Sequence, residues 1–382
     1  MFLRRLFTSL SSLRLTVVCL ALAMVLVLWG TLAQVELGLY RVQKDYFQSW
    51  FVFWQPVGTG WRIPVFPGGY LLGGVLLVNL LMAHVRYYRP AFKQLGIVLI
   101  HAGLVLLLVG QCASDLLSVE STLHLREGET KNYSELPHRV ELAIVDTGDP
   151  RVDRVVAVPQ GLLEQGGEIR NEALPFGVRV RRFVPNAALE ERRPGDPRPA
   201  VASQGVGTRV VLHELPRASA PGARDVPAAV IELLDGGTSL GTWLVSEQVS
   251  EPQRFSHRGR TYTLTMRPQR AIKPYSLTLL EFRRQTYPGT DIPRAFSSRL
   301  RLDDPRTGEQ RQVLIYMNHP LRHGGETYYQ ADYDADDRGT VLQVVRNPTW
   351  LTPYLGCGLV SIGLLFQCLR RLLEFTATRG TA

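Results

Sequence analysis

Hydrophobic and polar positions divide this 382-residue chain into very apolar blocks at both ends and a long polar middle. Apolar runs cover residues 15–33, 70–85, 94–113 and 351–369. A bilayer core about 30 Å thick takes about 20 apolar residues of helix to cross, so these runs predict four transmembrane helices. From Ser114 to Asn347 no run is apolar enough to span. Alternating stretches there predict half-buried strands: Val140–Val145, Val178–Arg181, Arg209–His213, Tyr262–Met266 and Ser276–Phe282. Leu300–Tyr316 predicts a hairpin whose loop holds Pro305 and Gly308. Glu191–Gln204 and Ala218–Ala223, rich in Pro, Gly, Ser and Arg, predict surface loops. The middle is long enough to bury a proper core and reads as one or two all-β domains. The expected fold is a membrane α-helical protein with four transmembrane helices and a large extracytoplasmic all-β domain between helices 3 and 4. Its parts are residues 1–113, 114–349 and 350–382, the last holding the fourth helix and a cytoplasmic tail.

Charge orients this plan. Arg4, Arg5 and Arg14 precede the first apolar run, Arg86, Arg89 and Lys93 lie between the second and third, and Arg370–Arg371 closes the fourth. Lys and Arg in short loops mark the cytoplasmic side, so all three clusters predict both termini inside and the polar middle outside. This is the arrangement of a multi-pass protein of a bacterial cytoplasmic membrane. The first run is longer than the apolar core of a cleaved signal peptide and further spans follow, so it reads as a retained helix. Between the first two runs, Glu36–Gly69 is rich in Tyr, Phe and Trp. That suits a segment at the headgroup level or one packed on itself.

Composition alters little. The net charge of +9 is spread among acidic residues and Pro, with no basic run interleaved with aromatics, so nucleic acid is not an expected partner. The four cysteines, Cys19, Cys112, Cys357 and Cys368, all lie in or beside apolar runs without a Cys-x-x-Cys spacing. They read as small hydrophobes, with Cys112 kept as a redox candidate.

The sharpest chemical signal is His101, an ionisable group inside the third apolar run. An imidazole there suits a metal or haem ligand, a proton relay, or an interhelical hydrogen bond. A ligating imidazole also needs its second nitrogen held by a partner. His84 lies at the inner end of the second run, at an expected depth different from that of His101, and Asn79 is placed to bond across helices. His319 and His323 could clasp zinc only on a helix, which Pro320 and Gly324–Gly325 disfavour. His124, His138, His213 and His257 read as surface or core residues. Hydrolase and nucleotide-binding motifs are missing from the sequence.

The stretch Val313–Gln330 resembles the signature of ResB-type cytochrome c biogenesis proteins through Asn318, Pro320, Leu321, Gly325, Tyr329 and Gln330. Tyr287–Ser298, the passage Val344–Trp350 with Gly356 and Gly363, and the opening Ser12–Leu15 with Trp29–Leu32 are similar to the family's neighbouring segments. The resemblance is weak between Pro150 and Gln253. It implies four spans, an external domain, and work with a ResC (CcsA-type) membrane partner in bringing haem across the membrane to the Cys-x-x-Cys-His sites of apocytochromes c. It further implies that haem b is held transiently by His101 as axial ligand. A second histidine from the partner is expected to complete the coordination, and His84, read first as a structural residue at the interface, is the weaker cofactor-binding candidate. The Trp-rich haem-handling motif of this system belongs to the partner and has no counterpart here, so the chain is expected to be an accessory subunit of a haem lyase rather than the whole enzyme. The rival readings are a membrane-anchored scaffold in which His101 only hydrogen-bonds, and a respiratory subunit carrying a b-type haem.

Overall fold

The computed structural model describes residues 2–54, 61–87, 92–149, 152–193, 196–218 and 224–379. Parts of the expected aromatic connection (55–60), basic turn (88–91), surface loops (194–195 and 219–223) and tail (380–382) lie outside the described residues. Helices among them are α1 (Phe2–Leu10), α2 (Leu13–Leu37), α3 (Leu39–Val42), α4 (Gly69–Tyr87), α5 (Leu95–Leu117), α6 (Gln160–Gln165) and α7 (Thr352–Arg379). The chain divides into a helical unit, Met1–Val119 with Arg346–Ala382, and a β unit, Glu120–Ala218 with Ala223–Val345.

In the helical unit, α2, α4, α5 and α7 are each long and apolar enough to cross a membrane. They coincide with the four apolar runs, with α2 ending four residues and α7 ten residues beyond its run. α5 and α7 run antiparallel with their backbones nearly touching. Gly96, Gly103 and Gly110 recur every seventh residue on α5, as Gly356 and Gly363 do on α7. A Cβ on Gly103 would lie 2.7 Å from the Gly356 carbonyl oxygen, and one on Gly363 would lie 2.6 Å from that of Gly96. The amide of Asn347 donates to Ser114 Oγ at 2.7 Å and ties the end of α5 to the approach to α7.

α1 and α2 meet at Ser11–Ser12, where the Ser12 hydroxyl accepts from the Leu15 amide and caps α2. Asn79 of α4 is buried against this junction. Its amide donates to the Leu10 and Ser12 carbonyls at 2.6 and 3.1 Å, and its Oδ1 accepts from Thr16 Oγ1 at 2.6 Å. Arg86 donates to the Thr8 carbonyl and to Ser11 Oγ. The interhelical bond expected of Asn79 is therefore made. Between α2 and α4 a small hairpin, Phe51–Trp54 with Ile63–Pro67, pairs antiparallel. Val52 and Tyr46 are buried with Leu26 and Leu72 of the long helices, while Trp50, Trp54 and Trp61 stay exposed.

The β unit is built on two long strands, Thr130–Asp146 and Arg260–Thr286, which pair antiparallel with each other. They belong to a ten-stranded sheet whose path runs Glu309–Tyr316, Pro293–Asp304, Arg260–Thr286, Thr130–Asp146, Val119–Arg126, Gly339–Arg346, Glu326–Tyr333, Leu321–His323. The sequence reading split the longer strand into separate runs. It is continuous because register shifts after Pro268 and after Ile272 absorb a proline that would otherwise break the ladder. One half of the strand pair packs against a four-stranded sheet that includes Gly177–Val184, Ala228–Asp235 and Thr238–Ser246. The other half contributes Tyr275, Leu277, Leu279 and Phe282 to a core with Leu123, Leu300, Ile315, Leu321, Tyr328 and Leu342. The hairpin expected at Leu300–Tyr316 is present, closed by Asp304 opposite Glu309 with Gly308 at φ +68°. The weakly legible stretch 150–253 holds short strands and α6.

Gly103→Leu should wedge α5 and α7 apart and cost about 1–3 kcal/mol, the usual penalty of overpacking. Gly73→Leu on α4, where an added Cβ meets nothing within 4 Å, should be tolerated. Thermal unfolding of the two variants in detergent separates them: equal melting temperatures would contradict this packing.

Candidate functional site

With 3.6 residues per turn, His101 sits roughly 140–160° around α5 from Gly96 and Gly103. The glycine stripe that lets α7 approach thereby turns His101 away from α7. The imidazole meets that of His84 on α4, with ring centroids 5.8 Å apart and planes at 75°. The two residues, expected from sequence to lie at different depths, come within reach of each other. α4 and α5 are joined by a short connection and run in opposite directions, so a residue near the end of one faces a residue near the start of the other. At 1.5 Å per residue, His84 is about 4.5 Å from the end of α4 and His101 about 9 Å from the start of α5. Nδ1 of His101 is buried and has no hydrogen-bond partner among the described residues. A buried polar nitrogen left without a partner costs about 1–3 kcal/mol, so this ring is incomplete among the described residues. An axial iron bond, or a donor or acceptor from another molecule, would complete it. On that ground the pair fits an imidazole-ligated cofactor, with His101 the residue to hold it.

The other histidines have different surroundings. His319 stacks on Tyr316, with centroids 4.1 Å apart and planes at 15°. His323 Nε2 bonds to Asp304 Oδ2 at 2.9 Å, and its ring packs edge-on against Tyr275 at 4.6 Å. His124 and His213 pair with Asp334 and Glu190. Cys112 is exposed on α5 and Cys19 is buried in α2.

The signature residues turn out to be architectural. Asn318 adopts φ +65° in the tight turn between Tyr316 and His319, whose backbones bond to each other. Gly324 and Gly325, at φ +59° and +78°, make the two-residue turn joining Leu321–His323 to Glu326–Tyr333, a conformation that side chains beyond glycine rarely adopt. Leu321 is in the core and Pro320 is half-buried. Gln330 Nε2 donates to Thr340 Oγ1 at 2.7 Å, and its Oε1 accepts from Ser298 Oγ at 2.6 Å. Tyr329 alone of the signature presents a large side chain to solvent, at 39% exposure.

Beside this hairpin lies a buried polar cluster that the sequence reading missed. Lys273 Nζ donates to Glu326 Oε1 at 2.6 Å, while the hydroxyls of Tyr275 and Tyr328 reach Glu326 Oε2 at 2.8 and 2.9 Å. Burial pushes the Glu326 carboxyl up, but the bonds from Lys273, Tyr275 and Tyr328 outweigh it and hold the group below its ordinary range. Burial raises both tyrosines far above theirs. Arg306, and after it His323, hold Asp304 well below the usual carboxylate range. Every group here has a partner, which marks a structural clamp. The signal in the sequence is the spacing Lys273-x-Tyr275 and Glu326-x-Tyr328, which puts each pair on one face of its strand.

Acid should loosen this clamp. A carboxyl held below its unfolded value stabilises the fold above that value, and the stability is lost as pH falls through the folded one. Hydrogen exchange across residues 321–333 should therefore accelerate as pH drops below about 4.5, the ordinary value for Glu, and the acid step should shrink in Glu326→Gln. Lys273→Met, which strands the Glu326 charge, should cost about 3–5 kcal/mol, and the double variant should recover most of it.

Residues 237–341 match the model of the ResB-like family. That segment contains the hairpin, the clamp and the signature described above. The chain is 25% identical over 311 residues to Protein NrfI of Wolinella succinogenes, a match that covers 80% of this chain and 31% of that protein. The aligned length exceeds that of the β unit and so takes in part of the helical unit. The chain spans about a third of the length of this relative.

Proposed function

From the premise that this is a ResB-type chain, we propose that it serves cytochrome c biogenesis as a membrane subunit that helps carry haem across the bilayer and present it to apocytochrome c. The chain works with a ResC (CcsA-type) membrane partner. In keeping with this, the match to NrfI leaves about two thirds of that longer protein without a counterpart here. The four long helices span the bacterial cytoplasmic membrane. Arg4, Arg5, Arg86, Lys93 and Arg370 hold their shared end and both termini in the cytoplasm, so the β unit is extracytoplasmic.

His101 is the haem-binding residue of this chain. The observation that carries this is its buried, unpartnered Nδ1 on an otherwise apolar helix, since ionisable groups inside membranes are usually functional. Bound haem b would supply an iron centre that accepts an axial imidazole. The chain's own contribution is to orient that imidazole, which the glycine-packed α5–α7 pair does by fixing the rotation of α5. The β unit carries no cysteine, all four lying in the helical unit. Its part is therefore to brace the partner or position the apocytochrome, with thioether formation left to the partner.

Protein purified in detergent with its ResC-type partner should show the Soret and α/β bands of low-spin haem. His101→Ala should lose most of that absorbance and regain it with added imidazole. Equal haem content and identical spectra in both proteins would instead favour the scaffold reading, in which His101 only hydrogen-bonds.

A further inference from the structure

We propose that the hairpin Phe51–Trp54 with Ile63–Pro67 is an interfacial anchor, which seats Trp50, Trp54 and Trp61 among the lipid headgroups of the leaflet opposite the basic end of the helices. The inference rests on the membrane reading above and does not depend on haem. Its first support is the mount. The Ser49 carbonyl accepts from the Tyr70 amide at 3.1 Å, and the Trp50 carbonyl from the Gly68 amide at 2.9 Å. The hairpin thus joins directly to the first turn of α4. A Cβ on Gly69 would collide with the Phe47 carbonyl, and one on Gly30 of α2 would lie 2.8 Å from the Phe47 ring. The cross-strand pair Val52 and Phe66 packs with Leu26 and Leu72. Trp29 meets Tyr46 and Phe66 edge-on, with centroids 5.7 and 5.9 Å apart. The hairpin is therefore fixed to two long helices, at the end of α4 opposite Arg86.

Its second support is what this mount leaves uncovered. Trp61, Trp50 and Trp54 are 74%, 62% and 57% exposed, and Phe51, Phe53 and Ile63 are exposed beside them. Bulk water does not suit an apolar group of that size held on a rigid support. Hydrocarbon does not suit it either. Among the described residues the two strands pair only with each other, so each presents an open edge. Backbone amides and carbonyls on such an edge need water, which the bilayer core lacks. The interface meets both demands: the rings rest at the apolar boundary, and headgroup water reaches the edges.

Its third support is charge. The Arg62 guanidinium lies over the Phe53 ring, 5.9 Å from its centroid. A cation at the rim of an aromatic patch is complementary to the phosphate of a lipid headgroup. The surface of α2 and α4 that faces lipid on the proposed topology thus continues into the hairpin and ends there in indoles and an arginine.

The test reconstitutes the full chain in vesicles of phosphatidylcholine and phosphatidylglycerol and reads tryptophan emission. The hairpin's share is the difference between wild type and the double variant Trp54→Phe, Trp61→Phe, which keeps a ring at two exposed positions. A nitroxide on the lipid headgroup should quench that share at least about twofold more strongly than a nitroxide near the end of the acyl chain. Equal or stronger quenching by the acyl-chain nitroxide would place the rings in hydrocarbon, and quenching by neither would place them in water; each result overturns the inference. Loss of headgroup quenching when the ResC-type partner is reconstituted alongside would also overturn it, and would give this surface to the partner. A chain that alkaline carbonate strips from the vesicles would overturn the membrane reading, and this inference with it.

Discussion

Backbone contact between α5 and α7 is the constraint on which the helical unit depends. Hydrocarbon surroundings offer no hydrophobic drive for one apolar helix to seek another, so close packing of small residues has to supply it. The sevenfold recurrence of glycine on both helices does so. It also fixes the rotation of α5 about its own axis, because only one face can approach α7 so closely. His101 lies on the far side of that face and is thereby committed to α4. A feature that looks purely structural, a stripe of missing side chains, selects which surface of the helix carries the chemistry.

At the opposite side of α4, Asn79 and Arg86 bind the polar break between α1 and α2. α4 is thus held by directed bonds on one side, and His84 rides on a helix whose position is set. The two imidazoles meet through two different kinds of constraint, steric on α5 and hydrogen-bonded on α4. In the β unit the comparable role falls to the long strand Arg260–Thr286, which serves two cores. The signature hairpin and the Glu326 clamp lock one of those cores.

Much of this was legible in the sequence, and the failures have physical causes. Apolar length discloses the long helices, each of them long and apolar enough to cross a membrane. Alternation discloses strands such as Val140–Val145 because one face is buried. The continuity of Arg260–Thr286 was hidden by Pro268, which reads as a break until a register shift absorbs it. The approach of His84 to His101 was hidden because depth was judged from position in each run rather than from the antiparallel course of α4 and α5. The clamp was missed because Lys273 and Glu326 are 53 residues apart, and no local pattern announces which charges are buried together. The glycine period was present throughout and is a signal that a closer reading would have found.

The two units hold their ionisable groups in opposite ways. In the β unit two buried carboxylates are saturated: Glu326 accepts from three side chains, and Asp304 from Arg306 and His323. A group so satisfied resists titration and ligand exchange, and so stabilises without reacting. In the helical unit two imidazoles are placed in contact within apolar helices, and a buried nitrogen of one has no partner among the described residues. Such an arrangement costs free energy by itself, and a bound group that met the nitrogen would offset that cost. On the proposed reading His101 is where the cargo would be held, whereas the clamp of the β unit only stabilises.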